Sequence, residues 1–170
     1  MSDLTHRIAD TRIRLVDPHG QPVAASEVTI EQTRHAFGFG NIGFDFVDWL
    51  GGPRRSEEPS AFEVFGGQAP PDPEALAEAW LGLFNNVTLP FYWRAFEPIQ
   101  GLPETTRLRR TAEWFAERGV TVKGHPLVWH TLAPEWLLNV DEANVETIIR
   151  DRVRREVSEF AGVVNLWDAI

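Results

Sequence analysis

In KGHPLVWHTLAPEWL, two histidines and two tryptophans, His125, Trp129, His130 and Trp136, fall within twelve residues. An imidazole can donate and accept hydrogen bonds with hydroxyl groups, and an indole face can stack on the C–H face of a pyranose ring. One histidine beside a tryptophan is commonly a hydrogen-bonded core residue. The pair, with Trp129 between its members, favours contact with a sugar. A metal would need a third ligand, such as Asp168 or Glu97. His125 and His130 are five residues apart, which on a continuous strand sends them to opposite faces. No metal and no cofactor are therefore expected. Upstream, YWRAFEP offers Tyr92 and Trp93. Trp93 fits packing beneath a strand mouth as well as it fits sugar contact. The candidate substrate-binding residues are His125, Trp129, His130, Tyr92 and Trp93.

The elements that must position them are legible from their rhythm. PEALAEAWLGLFN opens with Pro73 and predicts a helix carrying Leu76, Ala79, Trp80, Leu83 and Phe84 on its inner face. NVTLPFYW reads as a strand, and PETTRLRRTAEWFAERG as a helix with Leu108, Ala112, Phe115 and Ala116 inward and Gly119 at its end. VTVKGHPLVWH is a strand, DEANVETIIRDRVRREVSEFAG a helix, and VVNLWDAI a final apolar strand from Val163 to Ile170. Before them, AFGFGNIG alternates Phe37, Phe39 and Ile42 with Gly38, Gly40 and Gly43, as a strand in a crowded place would. Residues 51–73 form a long polar Gly- and Pro-rich loop. Residues 1–35 read as a β-hairpin extension, turning at Asp17-Pro18-His19-Gly20.

This β-α-β-α-β-α-β alternation makes a parallel sheet. No G-x-G-x-x-G opens the helix that begins at Pro73, so a dinucleotide crevice there is unsupported. Chemistry-bearing residues at strand ends fit a (β/α)8 barrel of the TIM type, here about its first four β/α units in residues 36–170.

The totals exclude several classes. The net charge of −9 leaves no basic face for nucleic acid. The arginines at 107–110 and 150–155 alternate with acids at helical spacing and read as a solvated face. No cysteine is present for disulfides or thiolate zinc sites. No apolar run reaches bilayer length, so no membrane partner is expected. MSDLTHRIADTRIRL lacks the charged start and apolar core of a signal peptide, which points to the cytoplasm as written and leaves a removed leader open.

GHPLVWHTLAPEWL is similar to the G-H-x-L-V-W-H-x-x-x-P-x-W stretch of glycoside hydrolase family 10, the endo-1,4-β-xylanases. FEPIQG resembles the family's E-P-x-x-G after its second strand, and NLWDAI the start of its W-D-V-V-N-E. The resemblance covers roughly Ala36 to Ile170. It implies a retaining glycosidase acting on β-1,4-glycans such as xylan, with His125 and Trp129 lining the subsite of the sugar being cleaved and His130 beside them. It also implies an acid/base glutamate two residues after Ile170 and a nucleophile on a later strand. On that reading the 170 residues hold no catalytic carboxyl and are inert alone, and their open sheet edges favour self-association. One departure stands out. The family's T-x-E-N-x-M-K-W is here the shorter TLPFYW, with Tyr92 in place of the sugar-binding lysine and no matching asparagine. Two other readings fit the same residues: a carbohydrate-binding protein without chemistry, and a metal-dependent barrel hydrolase.

Overall fold

The computed structural model describes residues 8–24, 27–33 and 35–169. It divides into two compact units, one running to His35 and one from Ala36. In the first, the chain reverses at Asp17, whose Oδ1 accepts from the backbone N–H groups of His19 and Gln21. Gly20 takes the positive φ of 77° that the turn needs. A single antiparallel bridge, Val16 with Pro22, closes this minimal hairpin. The alternation at Val28 and Ile30 produces no strand, and both side chains stay exposed. Residues 1–7, at the start of the expected extension, lie outside the described residues.

The second unit is a parallel four-stranded sheet in sequence order: β1 (Gly40–Ile42), β2 (Asn86–Pro90), β3 (Thr121–His125) and β4 (Leu166–Trp167). Six helices punctuate it: α1 (Phe44–Leu50), α2 (Ala61–Val64), α3 (Pro73–Leu83), α4 (Trp93–Phe96), α5 (Thr105–Glu117) and α6 (Glu142–Glu159). A 3-10 helix spans Glu135–Asn139. Local chemistry sets the ends. Asp72 caps α3 by accepting from Ala75 N–H at 3.0 Å, with Pro73 at the first helical position. Gly119, at φ 71°, turns the chain out of α5 into β3. No described helix is long and apolar enough to cross a membrane.

Side chains alternate across a strand, so each strand presents two different faces. Val87, Leu89 and Val122 are buried against a helix layer that supplies Phe46, Trp80, Leu108, Ala112, Phe115 and Phe160. The rings of Phe46, Trp80, Trp114 and Phe115 meet at centroid distances of 4.9 to 6.0 Å, mostly tilted or edge-on. The alternate residues, Thr88, Lys123 and His125, face a cleft on the opposite side.

Three expectations shift. On α3 the buried residues are Ala77 and Trp80, and Ala79 and Leu83 are exposed, because the helix turns its stripe toward Leu76, Leu81 and Phe84. Ala116 on α5 is exposed as well. The last strand is two residues long, because Val163 and Val164 both donate their N–H to Phe160 O and finish the turn after α6. Ile170 lies outside the described residues.

Gly124 on β3 shows how tightly the helix-side face is packed. A Cβ there would lie 2.3 Å from Trp167 and 3.1 Å from Phe91. Gly124→Ala should therefore cost about 1–3 kcal/mol through overpacking. Urea denaturation checks this, and an unchanged midpoint would mean that Trp167 moves aside freely.

Candidate functional site

The ends of three strands are stitched together by backbone bonds. Phe91 N–H donates to His125 O at 2.6 Å, and Asp168 N–H to Gly124 O at 2.9 Å. Leu127 N–H reaches Asp168 O at 2.9 Å, and Val128 N–H reaches Ala169 O at 3.0 Å. Tyr92, His125 and Asp168 follow directly from these anchored positions.

Their side chains form one polar chain with Lys123. The ammonium of Lys123 donates to Asp168 Oδ2 at 3.1 Å, and the same oxygen lies 2.9 Å from His125 Nδ1. The other ring nitrogen, Nε2, is 3.1 Å from the Tyr92 hydroxyl. The hydrogen bond from His125, followed by that from Lys123, holds the Asp168 carboxyl below the usual carboxylate range. Burial, followed by the Asp168 charge, pushes the Tyr92 phenol above its usual value, so it keeps its proton at neutral pH.

These groups line an open cleft of about 480 Å³ that also takes in Thr88, Phe44 and Phe65. Phe44 meets the Tyr92 ring edge-on at 5.9 Å, Phe65 lies at 5.1 Å and Trp129 at 5.6 Å. Such a site offers hydroxyl-binding groups on a floor of rings and suits a ligand with both polar and C–H faces.

The structure brings Tyr92, His125 and Trp129 together and places the other two candidates elsewhere. Trp93 is buried, donates its indole N–H to Glu97 Oε2 at 3.0 Å and stacks edge-on against Trp136 at 5.5 Å. It packs. His130 is exposed beside Trp129 at 5.9 Å and borders a different hollow, with Arg94 and Leu132. Among the described residues no three His, Asp or Glu side chains gather as a metal site would require. Sequence reasoning weighed Asp168 only as a metal ligand and passed over Lys123. The pleat could have found Lys123, which sits two residues before His125 and so on its face. Nothing in the sequence signalled Phe65, carried in at the end of the short helix α2.

Behind the cleft lies a buried ionic cluster. Arg152 donates to Phe91 O at 2.5 Å and to Leu127 O, and its guanidinium lies 4.7 Å over the Trp93 ring. Burial lowers its pKa to about 10, which leaves it a cation at neutral pH. Arg155 spans two carboxylates, Glu97 Oε2 and Glu156 Oε1, both at 2.6 Å. Burial works against the Glu97 charge, but bonds from Arg155, Trp93 and Gly101 N–H together hold its pKa below the usual value. Glu156, fully buried, is pushed up by desolvation.

A profile of glycosyl hydrolase family 10 matches residues 80–170, more than half of the chain. The chain belongs to glycosyl hydrolase family 10. Among family relatives, endo-1,4-beta-xylanase B of Thermotoga neapolitana is 30% identical over 104 residues, covering 59% of this chain and 30% of that protein. Endo-1,4-beta-xylanase 3 of Hypocrea jecorina is 27% identical over 79 residues, covering 46% of this chain and 23% of its own. The chain thus spans about a quarter to a third of these relatives. Among solved structures, xylanase 10B from Thermotoga petrophila in complex with xylobiose superposes with a TM-score of 0.56 at 23% identity, over 77% of this chain and 35% of that one. A thermostable xylanase mutant from Cellvibrio japonicus gives 0.54 at 23% identity, over 79% and 34%. The fold of this family 10 chain is accordingly part of a (β/α)8 barrel.

The ionic cluster makes acid sensitivity a test of the geometry. A carboxylate with a depressed native pKa contributes stability that is complete above its unfolded value, near 4.5 for Glu97, and is lost as pH falls through the lower native value. Glu156, shifted upward, contributes with the opposite sign. Glu97→Gln should therefore remove part of the fall in stability below about pH 4.5. It should also cost about 1–3 kcal/mol at neutral pH. Urea midpoints of both proteins across the acid range check this. Parallel curves would show that Glu97 contributes no acid sensitivity.

Proposed function

We propose that this family 10 chain forms the sugar-holding side of a retaining β-1,4-glycanase cleft, with xylan-type chains as its substrate. The observation that supports the reading most directly is the convergence of Tyr92, His125 and Trp129 with Asp168 and Lys123 at the strand mouths. In barrel enzymes that end carries the site. The xylobiose complex of the Thermotoga petrophila enzyme is consistent with the same ligand class. Trp129, 38% exposed, offers a ring face to a pyranose, and the polar chain beneath offers partners for its hydroxyls.

Retention requires two carboxyl groups about 5–5.5 Å apart, one protonating the leaving oxygen and one attacking the anomeric carbon. The only carboxylate lining this cleft among the described residues is Asp168, and it is engaged by His125 and Lys123. In this proposal the 170-residue chain binds and orients the glycan, and cleavage depends on two glutamates beyond β4. The polypeptide should bind xylo-oligosaccharides, detectable by tryptophan fluorescence, and release no reducing ends. Trp129→Ala should weaken binding roughly tenfold or more, as loss of a central aromatic anchor does. Release of reducing ends by the purified chain would sink the division of labour, and unchanged affinity of Trp129→Ala would remove Trp129 from the site.

Self-association belongs to the same proposal. The outer edge of β1 is flanked by Phe37, Phe39 and Ile42, all more than half exposed, and Leu166 of β4 is 47% exposed. Unprotected edges pair with other chains. Light scattering on the isolated chain should show species larger than a monomer, and a monodisperse monomer would overturn this expectation.

A further inference from the structure

The geometry assigns the direct hydroxyl contact in this cleft to Tyr92 as a hydrogen-bond acceptor, with His125 as the positioning residue that fixes it. The inference rests on the sugar-site reading above and deepens it. Asp168 is ionised and can only accept, so the His125 nitrogen 2.9 Å away, Nδ1, must carry a proton. In the neutral ring Nε2 is then bare and needs a donor. The group at hand is the Tyr92 hydroxyl, 3.1 Å away. Both ring nitrogens are thereby occupied, and the imidazole has no atom left for a ligand.

The phenolic hydrogen is committed to Nε2, and the lone pairs of the oxygen remain. Donating along a chain of bonds makes that oxygen a better acceptor. That chain of donors runs from Tyr92 through His125 to Asp168, and the Lys123 ammonium donates to the same Asp168 oxygen from the other side. Phe44, Phe65 and the edge of His125 fix the ring plane, with the imidazole perpendicular at 5.5 Å. The site thus selects a pyranose hydroxyl that donates toward Tyr92. A lysine at this place, as the family pattern has, could only donate. The substitution reverses the direction of the bond.

Two measurements on the full 170-residue chain test this with linear xylo-oligosaccharide as the probe. Imidazole 15N spectra should show His125 protonated on Nδ1, with both ring nitrogens unmoved when sugar saturates the protein. In binding titrations Tyr92→Phe should weaken affinity about tenfold. His125→Ala should weaken it comparably, and the double variant should be within about twofold of either single one, because both changes remove the same contact. Additive losses, or a shift of Nε2 on sugar binding, would overturn the inference and return the contact to the imidazole. A wild-type chain that binds no xylo-oligosaccharide would overturn the sugar-site reading and this inference with it. Near-ultraviolet circular dichroism separates lost contacts from lost folding, and the tautomer measurement decides the matter even where a variant fails to fold.

Discussion

The site depends on one buried cation holding two backbone carbonyls. Arg152, on α6, reaches under the sheet mouth to Phe91 O and Leu127 O, just past the ends of β2 and β3. Those carbonyls have left the strand ladder, and a buried carbonyl without a donor costs free energy comparable to a lost hydrogen bond. The guanidinium supplies two donors in a planar fork, a geometry an ammonium cannot match. Phe91 precedes Tyr92, and Leu127 follows His125 by two residues. Fixing these carbonyls fixes the separation between phenol and imidazole. The ring of Trp93 and the carboxylates of Glu97 and Glu156 then offset part of the cost of burying the charge.

The aromatic residues divide between two tasks along the same line. On the helix side, Phe91, Phe160 and Trp167 pack edge-on at 4.7 to 6.3 Å and hold β4 to its neighbour even though β4 is only two residues long. On the cleft side, Phe44, Phe65 and Tyr92 form an open floor. Phe91 and Tyr92 are adjacent in sequence and serve opposite layers, which is the strand pleat carried one step past the end of the ladder.

Much of this order was legible in the sequence, because helical and strand periodicities are strong signals when elements alternate regularly. The parallel sheet and the longer helices α3, α5 and α6 follow from them, whereas α1, directly after β1, and the single turns α2 and α4 do not. Tyr92 at the end of β2 and His125 and Trp129 at the end of β3 were legible too, but the bond between Tyr92 and His125 was not. What escaped was the partition of neighbours. Trp93 reads like Tyr92 in a string, yet it starts α4 and turns inward to Glu97. His130 reads like His125, yet the chain leaves the strand at Pro126, so strand alternation no longer predicts its face. Phe65 caps α2, a single helical turn inside the stretch read as a loop, and a turn that short leaves no periodicity to read. Asp168 was visible in Trp-Asp, but its partner is set by strand register, Gly124 opposite Trp167, which a sequence does not display.

The two faces of the sheet differ in how freely they can change. Val87 and Leu89 have no exposed surface, and Gly124 has no room for one more carbon. Drift on that face is met by loss of folding. Thr88 and Lys123, one pleat away, border open space, so a change there alters the cleft with little cost to the core. A lineage carrying this sheet can therefore explore new ligands through single substitutions on the open face while its folding stays nearly constant.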